Sequence, residues 1–336
     1  MKKNGISAPS IIAIALVIVM VLGEVIIYID SHDDFSSEMT ADENGIRFCI
    51  DSKGSHIYDV VVLKDSLDSP IDVSIYYDPE YPSVVEGVEV AVGAQPLTQD
   101  YYIRQLDDTL AIRGIDNVQT IDAVGLRELM SEDGTGHALI MLSGALPDTV
   151  YDGTEDSSIL KWISSGGRLY WAGNVLGKYI AHHDSLETVP YGVSLFMGSE
   201  CIDDEGRTAY SNVPSNDFRD VLYLQNNDVS YAVDETVIHD RTYKGLGYTD
   251  GKHSSIGIVG LGDGMICILS GDYSNYQRID MAQIIASGIS PYTVIVQDLK
   301  GSVSGHTEGD LQKGDHVYVI LGGFFPVYCE LHRVVG

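Results

Sequence analysis

The sequence predicts an α/β fold: a doubly wound, mostly parallel sheet, flanked by small β units and preceded by one N-terminal transmembrane helix. Three observations predict it. They are the apolar run over residues 11–29, the alternation of short apolar runs with helix-period segments from residue 87 to about 290, and clusters of β-branched residues on either side of that stretch.

The run reads IIAIALVIVMVLGEVIIYI, behind Lys2 and Lys3 and ahead of Asp30, Asp33, Asp34 and Glu38. At about 1.5 Å per residue, about 19 residues just cross a hydrocarbon core of about 30 Å. The lysines stay in the cytoplasm, so the chain is expected in the cell membrane as a single-pass protein, bilayer-bound through residues 11–29, with its bulk outside. A cleaved signal peptide is the rival reading, with Val21-Leu22-Gly23 before Glu24 as the cleavage site. Retention is favoured because the apolar run resumes at once with Val25 to Ile29. Glu24 lies near the outer end, where its carboxylate can snorkel to the interface. Lys3-Asn4-Gly5-Ile6-Ser7 followed by the apolar run resembles the N-terminus of archaeal type IV pilin-like proteins, which implies cleavage after a Gly or Ala and assembly through the helix.

Composition bounds the rest. The formal charge is -29, from 49 acidic and 20 basic residues, without an acidic block. Such a surface repels nucleic acid and anionic headgroups, so nucleic-acid binding is disfavoured, and the bland reading is a solvated exterior suited to salt. Cys49, Cys201, Cys267 and Cys329 are far apart and show no CxxC spacing, which excludes a zinc ribbon. Outside the membrane they can pair, but Cys267 sits in the apolar strand 265–269 and is expected to be buried and free. The 21 tyrosines point to strand faces and surface packing. Nothing in the sequence calls for a cofactor.

A polar stalk at residues 30–45 leads to a membrane-proximal β unit, 46–86, built from Ile46 to Ile50, His56 to Leu63 and Ile71 to Tyr77. The α/β domain then runs from 87 to 290. Gly87 to Gly93 is its first strand. Thr98 offers an N-cap to a helix whose Tyr102, Leu106 and Leu110 recur at i, i+4 and i+8 before Gly114. Val118 to Ile121 is the second strand, and Asp122 caps the next helix, with Leu126, Leu129 and Met130 on one face. His137 to Leu142 reads as a third strand buried on both faces. Asp156 or Ser157 starts a helix carrying Ile159, Leu160, Trp162 and Ile163, closed by Gly166-Gly167, and 168–172 is a fourth strand. An insertion of poor periodicity covers about 174–255; Met265 to Leu269 and a helix near Asp280 to Ser287 complete the domain. Strands spaced by helices imply parallel pairing with right-handed crossovers. Residues 291–336 suggest a C-terminal β unit, with 292–297, 316–321 and 327–334 as its strands.

His137 to Asp148, then a helix, then Gly166 to Gly173, resembles the centre of the class I glutamine amidotransferase-like fold, including its trehalose-utilisation-type relatives. The resemblance covers roughly 87–290 and implies a flavodoxin-like sheet. Active members carry a cysteine nucleophile in the turn after the central strand, where backbone N–H groups stabilise thiolate and oxyanion. Here that turn holds Ser143, Gly144 and Ala145, and the place of the family's histidine and glutamate, 269–273, has neither. The resemblance therefore implies a degenerate domain without glutaminase chemistry. Ser143 lacks the preceding glycine of a GxSxG elbow and reads as a turn residue, so no catalytic residue is assigned.

Other constellations are weaker. His182-His183-Asp184 offers three metal ligands side by side, but neighbouring residues point in different directions, so a surface role is favoured. Asp203-Asp204-Glu205-Gly206 lacks the alternating spacing of a calcium loop and reads as an acidic turn. Gly257 to Gly264 reads as hairpin or bulge glycines. Ligands of open parallel sheets sit beyond the strands' carboxyl ends, which makes Gly93, Gln95, Ser143, Gly144, Gly173, Asn174, Gly271 and Asp272 the candidate cleft. Two functions remain. The favoured one is a membrane-anchored, non-catalytic binding or structural surface protein with an unknown protein or cell-surface partner, pilin-like filament assembly being a variant. The other is an anchored hydrolase of a surface polymer or small solute using carboxylates of the insertion.

Overall fold

The computed structural model describes residues 35–42, 45–52, 57–67, 71–85, 88–90, 97–203, 213–214, 222, 224, 231–249, 252–270, 275–302, 305–311, 315–321 and 328–333. They form two compact units: the strands up to Val62 and from Val296 onward make one, and the residues between Leu63 and Ile295 make the other. The smaller unit begins with β1 (Phe35–Asp42), β2 (Gly45–Ser52) and β3 (Ile57–Lys64). Residues 11–29 lie outside the described residues, among which no helix is long and apolar enough to cross a membrane.

The larger unit opens with β4 (Asp72–Tyr76), β5 (Ser83–Val85), β6 (Val88–Val90), α1 (Leu97–Ile112), β7 (Val118–Ile121), α2 (Ala123–Leu129) and β8 (His137–Met141). It continues through β9 (Leu146–Pro147), α3 (Ser158–Ser164), β10 (Arg168–Gly173), β11 (Tyr179–His182), β12 (Ser185–Thr188), α4 (Gly192–Met197), β13 (Ile202–Asp203) and β14 (Val213–Pro214). It closes with β15 (Ala232–Asp234), β16 (Tyr243–Tyr248), β17 (His253–Leu261), β18 (Gly264–Ser270) and α5 (Asn275–Ser287).

Among the described residues its sheet has ten strands in the order β13-β15-β17-β18-β10-β8-β4-β7, with β16 also paired to β17 and β14 to β16. From β18 to β7 the neighbours are parallel. From β18 outward every pairing is antiparallel. The sheet is therefore mixed, which corrects the expected mostly parallel sheet: double winding is confined to the strands from β18 to β7. The reason is local. β17 and β18 are joined by a tight turn in which Gly262 takes φ +61°, and strands joined so closely can only run antiparallel. Once β17 has reversed direction, β15 and β16 pair on it and lengthen the sheet with residues expected to be an irregular insertion. Gly257 permits this packing, because a Cβ there would lie 1.9 Å from the Tyr243 hydroxyl of the adjacent strand.

A second correction concerns Ile71 to Tyr77, expected in a flanking β unit. As β4 it lies between β8 and β7 in the large sheet, with Val73, Ser74, Ile75 and Tyr76 all buried. Burial on both faces follows from its place inside a sheet covered by helices. One core holds Leu139, Met141, Leu169, Trp171, Ile266 and Ile268 from the strands with Leu126, Leu129, Ile159, Trp162 and Ile163 from α2 and α3. Ala138, Ile140, Tyr170 and Cys267, equally buried, alternate onto the opposite face. Each such large apolar side chain contributes roughly 1.5–3 kcal/mol on full burial. Asp122 caps α2 by accepting from the N–H groups of Val124 and Gly125.

The remaining strands, β19 (Val294–Ser302), β20 (Gly305–Leu311), β21 (His316–Leu321) and β22 (Tyr328–Arg333), return to the smaller unit. They make the sheets β1-β2-β20 and β19-β3-β21-β22, so strands from the two ends of the sequence interleave. The two expected β units are thus one.

Winding of the large sheet reverses at β4. The chain passes from β4 through α1 to β7 on one side, then returns through α2 to β8 on the other. The crevice between the carboxyl ends of β4 and β8 is the topological switch point, where open α/β sheets bind ligands.

Candidate functional site

Of the predicted cleft residues, Ser143, Gly144, Gly173 and Asn174 fall at this edge, where the described residues fill the crevice. Gly93, Gln95, Gly271 and Asp272 lie outside the described residues. Gly144 and Gly173 are neighbours: a Cβ on Gly173 would come within 3.9 Å of the Gly144 Cα. The chain itself lies against them. Val84 donates its N–H to the Ser143 carbonyl at 2.8 Å, and a Cβ on Gly144 would meet the Val84 carbonyl oxygen at 2.1 Å. Ser143 donates its hydroxyl to the Ala145 carbonyl at 2.6 Å, and Asn174 accepts from the Val175 N–H at 2.7 Å. The hollow left between Tyr77, Asp78, Tyr81 and Ser143 measures about 10 Å³. That is room for about one water.

The segment that plugs the crevice also carries side chains to its outer rim. β9 pairs in parallel with β11, Leu146 opposite Ile180 and Pro147 opposite Ala181, and the Asp148 N–H then donates to the Ala181 carbonyl at 2.9 Å. This brings Asp148 level with His182, the last residue of β11. β11 and β12 form a hairpin in which His182 faces Ser185, so Glu187, two residues on, is the diagonal neighbour of His182 on the same face. The result is an imidazole held between two carboxylates. Nδ1 of His182 lies 2.8 Å from Asp148 Oδ2, and Nε2 lies 3.2 Å from Glu187 Oε2. Tyr81 points its hydroxyl at the other Asp148 oxygen, 3.5 Å away. On the same rim His183 meets Glu80 at 3.3 Å and packs edge-on against the Tyr81 ring, with centroids 5.9 Å apart.

The electrostatics follow from this geometry. A histidine with both nitrogens facing carboxylates is shifted towards the doubly protonated cation, the form that donates from both. The Asp148 hydrogen bond, and after it that of Glu187, raises the His182 pKa above its ordinary value. Burial, reinforced by Asp148 and Asp78, pushes the Tyr81 hydroxyl up, so it stays a proton-bearing donor. Such a cluster can deliver a proton and hold an ionised carboxylate beside it.

Of the predicted metal ligands, His182 and His183 turn to different carboxylates, and Asp184 is an exposed turn residue. Among the described residues no group of three His, Cys, Asp or Glu side chains is arranged to hold a metal ion. Asp203 ends β13 and faces His253 at 3.3 Å. Cys201 and Cys267 are both buried and free. Sequence reasoning missed Glu80, Tyr81, Asp148 and Glu187; reading 179–188 as a hairpin with His183-Asp184 at its turn would have set Glu187 diagonally across from His182.

No family model matches the chain, and no curated protein does. Solved structures similar to it include the cold-adapted β-galactosidase from Rahnella sp. R3, at TM-score 0.41 and 16% identity, over 65% of this chain and 30% of that one. A catalytic mutant of Gan42B, a GH42 β-galactosidase from G. stearothermophilus, matches at TM-score 0.41 and 17% identity, over 75% of this chain and 35% of that one. A cytoplasmic protein from Salmonella typhimurium LT2 matches at TM-score 0.36 and 13% identity, over 65% of this chain and 96% of that one. The chain spans about a third of the length of these β-galactosidases. The expectation of a non-catalytic binding or structural surface protein is corrected. It rested on missing catalytic side chains, whereas the sheet edge holds a histidine clamped by two carboxylates.

Proposed function

We propose that the chain is a hydrolase of neutral, hydroxyl-rich substrates, tethered to the membrane through residues 11–29, with His182 as the proton donor. The observation that carries this reading is the part-exposed His182 ring between Asp148 and Glu187. Asp148 is the nearer partner and fixes the ring; Glu187, with its side chain 62% exposed, is the partner that yields to substrate. An incoming ether or ester oxygen takes the place of Glu187 at Nε2 and accepts that proton as its bond breaks. The released Glu187 carboxylate takes a proton from the attacking water. A positioned acid–base pair of this kind contributes roughly 10²–10⁴-fold to rate.

Substrate class follows from charge. The rim bears Asp78, Glu80, Asp148 and Glu187 on a chain of net charge -29, which repels phosphate and carboxylate substrates. Hydroxyl groups donate to those same oxygens. The test is p-nitrophenol release by the full-length chain from p-nitrophenyl glycosides and p-nitrophenyl acetate. Turnover of at least one substrate is expected, falling by about 100-fold or more in His182→Gln and Asp148→Asn. Turnover of none, or full activity in His182→Gln, would remove the reading.

A further inference from the structure

We propose that the pocket beside Tyr191 is a binding site for a single pyranose ring. The residue itself is the first clue. Tyr191 takes φ +62°, a left-handed conformation rare for an aromatic residue, and the residue is 73% exposed. The turn explains the backbone. Gly192 packs so closely on Gly177 that a Cβ would lie 2.0 Å from the Gly177 carbonyl oxygen, which also accepts the Tyr151 hydroxyl at 3.0 Å. The turn does not explain the tyrosine, because glycine would fit the same φ without strain and without placing an aromatic ring in water. Two costs with no structural return mark a residue kept for what its ring touches.

Tyr191 is among the residues that line a pocket of about 260 Å³. Val175, Val189 and Val193 give it apolar walls, and Lys178 and Glu200 stand at its rim. Its volume falls below the range of about 300–1,000 Å³ that takes drug-sized ligands, so it suits one ring. Rim charges of opposite sign leave no net preference for an ion and offer both donor and acceptor, which is what hydroxyl groups need. The electron-rich face of a tyrosine attracts the weakly positive C–H face of a sugar ring. The pocket also adjoins Thr188 of β12, next to Glu187. This inference names the substrate class of the acid–base reading and rests on it for the subsite's catalytic use; binding stands apart from turnover.

The experiment is saturation-transfer NMR on the full-length chain with methyl α- and β-pyranosides of glucose, galactose and mannose, together with thermal melting. Transfer to the ring C–H protons of at least one glycoside is expected in the unmodified chain. Tyr191→Gly should lower that affinity tenfold or more and yet melt at a higher temperature, because glycine adopts φ +62° freely. Glu200→Gln should weaken binding less. His182→Gln should lower turnover by about 100-fold or more and leave the transfer unchanged, so failure of the hydrolase reading and failure of the sugar site give different results. Absence of transfer from every glycoside, undiminished transfer in Tyr191→Gly, or a lower melting temperature in that variant would overturn the proposal.

Discussion

Both ring nitrogens of His182 face carboxylates at 2.8 and 3.2 Å, and that doubles as an electrostatic and a conformational constraint. The folded-state pKa is raised, first by Asp148 and then by Glu187, so the stability this cluster contributes is fully present below the ordinary value near 6.5. It is lost as pH rises through the raised folded value. Titration of the His182 ring by proton–carbon NMR should therefore give a midpoint above about 6.5, and Asp148→Asn should move it back down further than Glu187→Gln does. An unshifted midpoint in the unmodified chain would mean that the ring is not clamped in solution. None of this could be read from His182-His183-Asp184 as a string, where adjacency suggests a metal cluster. It becomes legible only through the strand register that sets His182 against Glu187 within the hairpin and against Asp148 across β9.

At the scale of elements, what could be read was what is encoded locally. β8, α3, the Gly166-Gly167 stop and β10 lie where residue periodicity and helix-stop chemistry put them. The stop has a packing reason beyond its turn: a Cβ on Gly167 would sit 2.4 Å from the Trp162 ring, and that ring is 1% exposed with nowhere to move. Gly167→Ala should accordingly cost roughly 1–3 kcal/mol or more by overpacking. Gly114 makes the control. Its φ is +76° and nothing stands within 4 Å of a Cβ there, so Gly114→Ala should cost only the backbone strain of about 1 kcal/mol. Denaturant titration of both variants checks the order, and equal losses would show that the Trp162 pocket yields. Of the antiparallel half the hairpin glycines at 257–264 were legible and the rest was not, because 232–255 carries serine at buried positions such as Ser254 and Ser255. Their burial depends on Tyr243 and its neighbours, which no short window contains.

At the scale of the whole molecule the ends of the chain matter most. β2 pairs with β20, Ile46 opposite Leu311, and β3 lies between β19 and β21, pairings more than 200 residues apart that leave no local trace in either segment. That is why residues 46–86 and 291–336 looked like two units. The tether proposed through 11–29 is tested by fractionation: the chain should stay in carbonate-washed membranes, and a soluble full-length product would exclude it. The interleaving makes a sharper prediction. Ending the chain after Ser302 removes β20, β21 and β22, which leaves β2 and β3 each with an unpaired edge in sheets too small to survive on two strands. The large sheet keeps all ten of its described strands in that truncation. Calorimetry should then show the transition of the smaller unit lost and that of the larger one retained, with amide exchange protection surviving in β8, β10 and β18 and vanishing in β1 and β2. Loss of both transitions together would mean that the two units fold as one cooperative body, and retention of both would mean that β1, β2 and β3 hold together without the C-terminal strands.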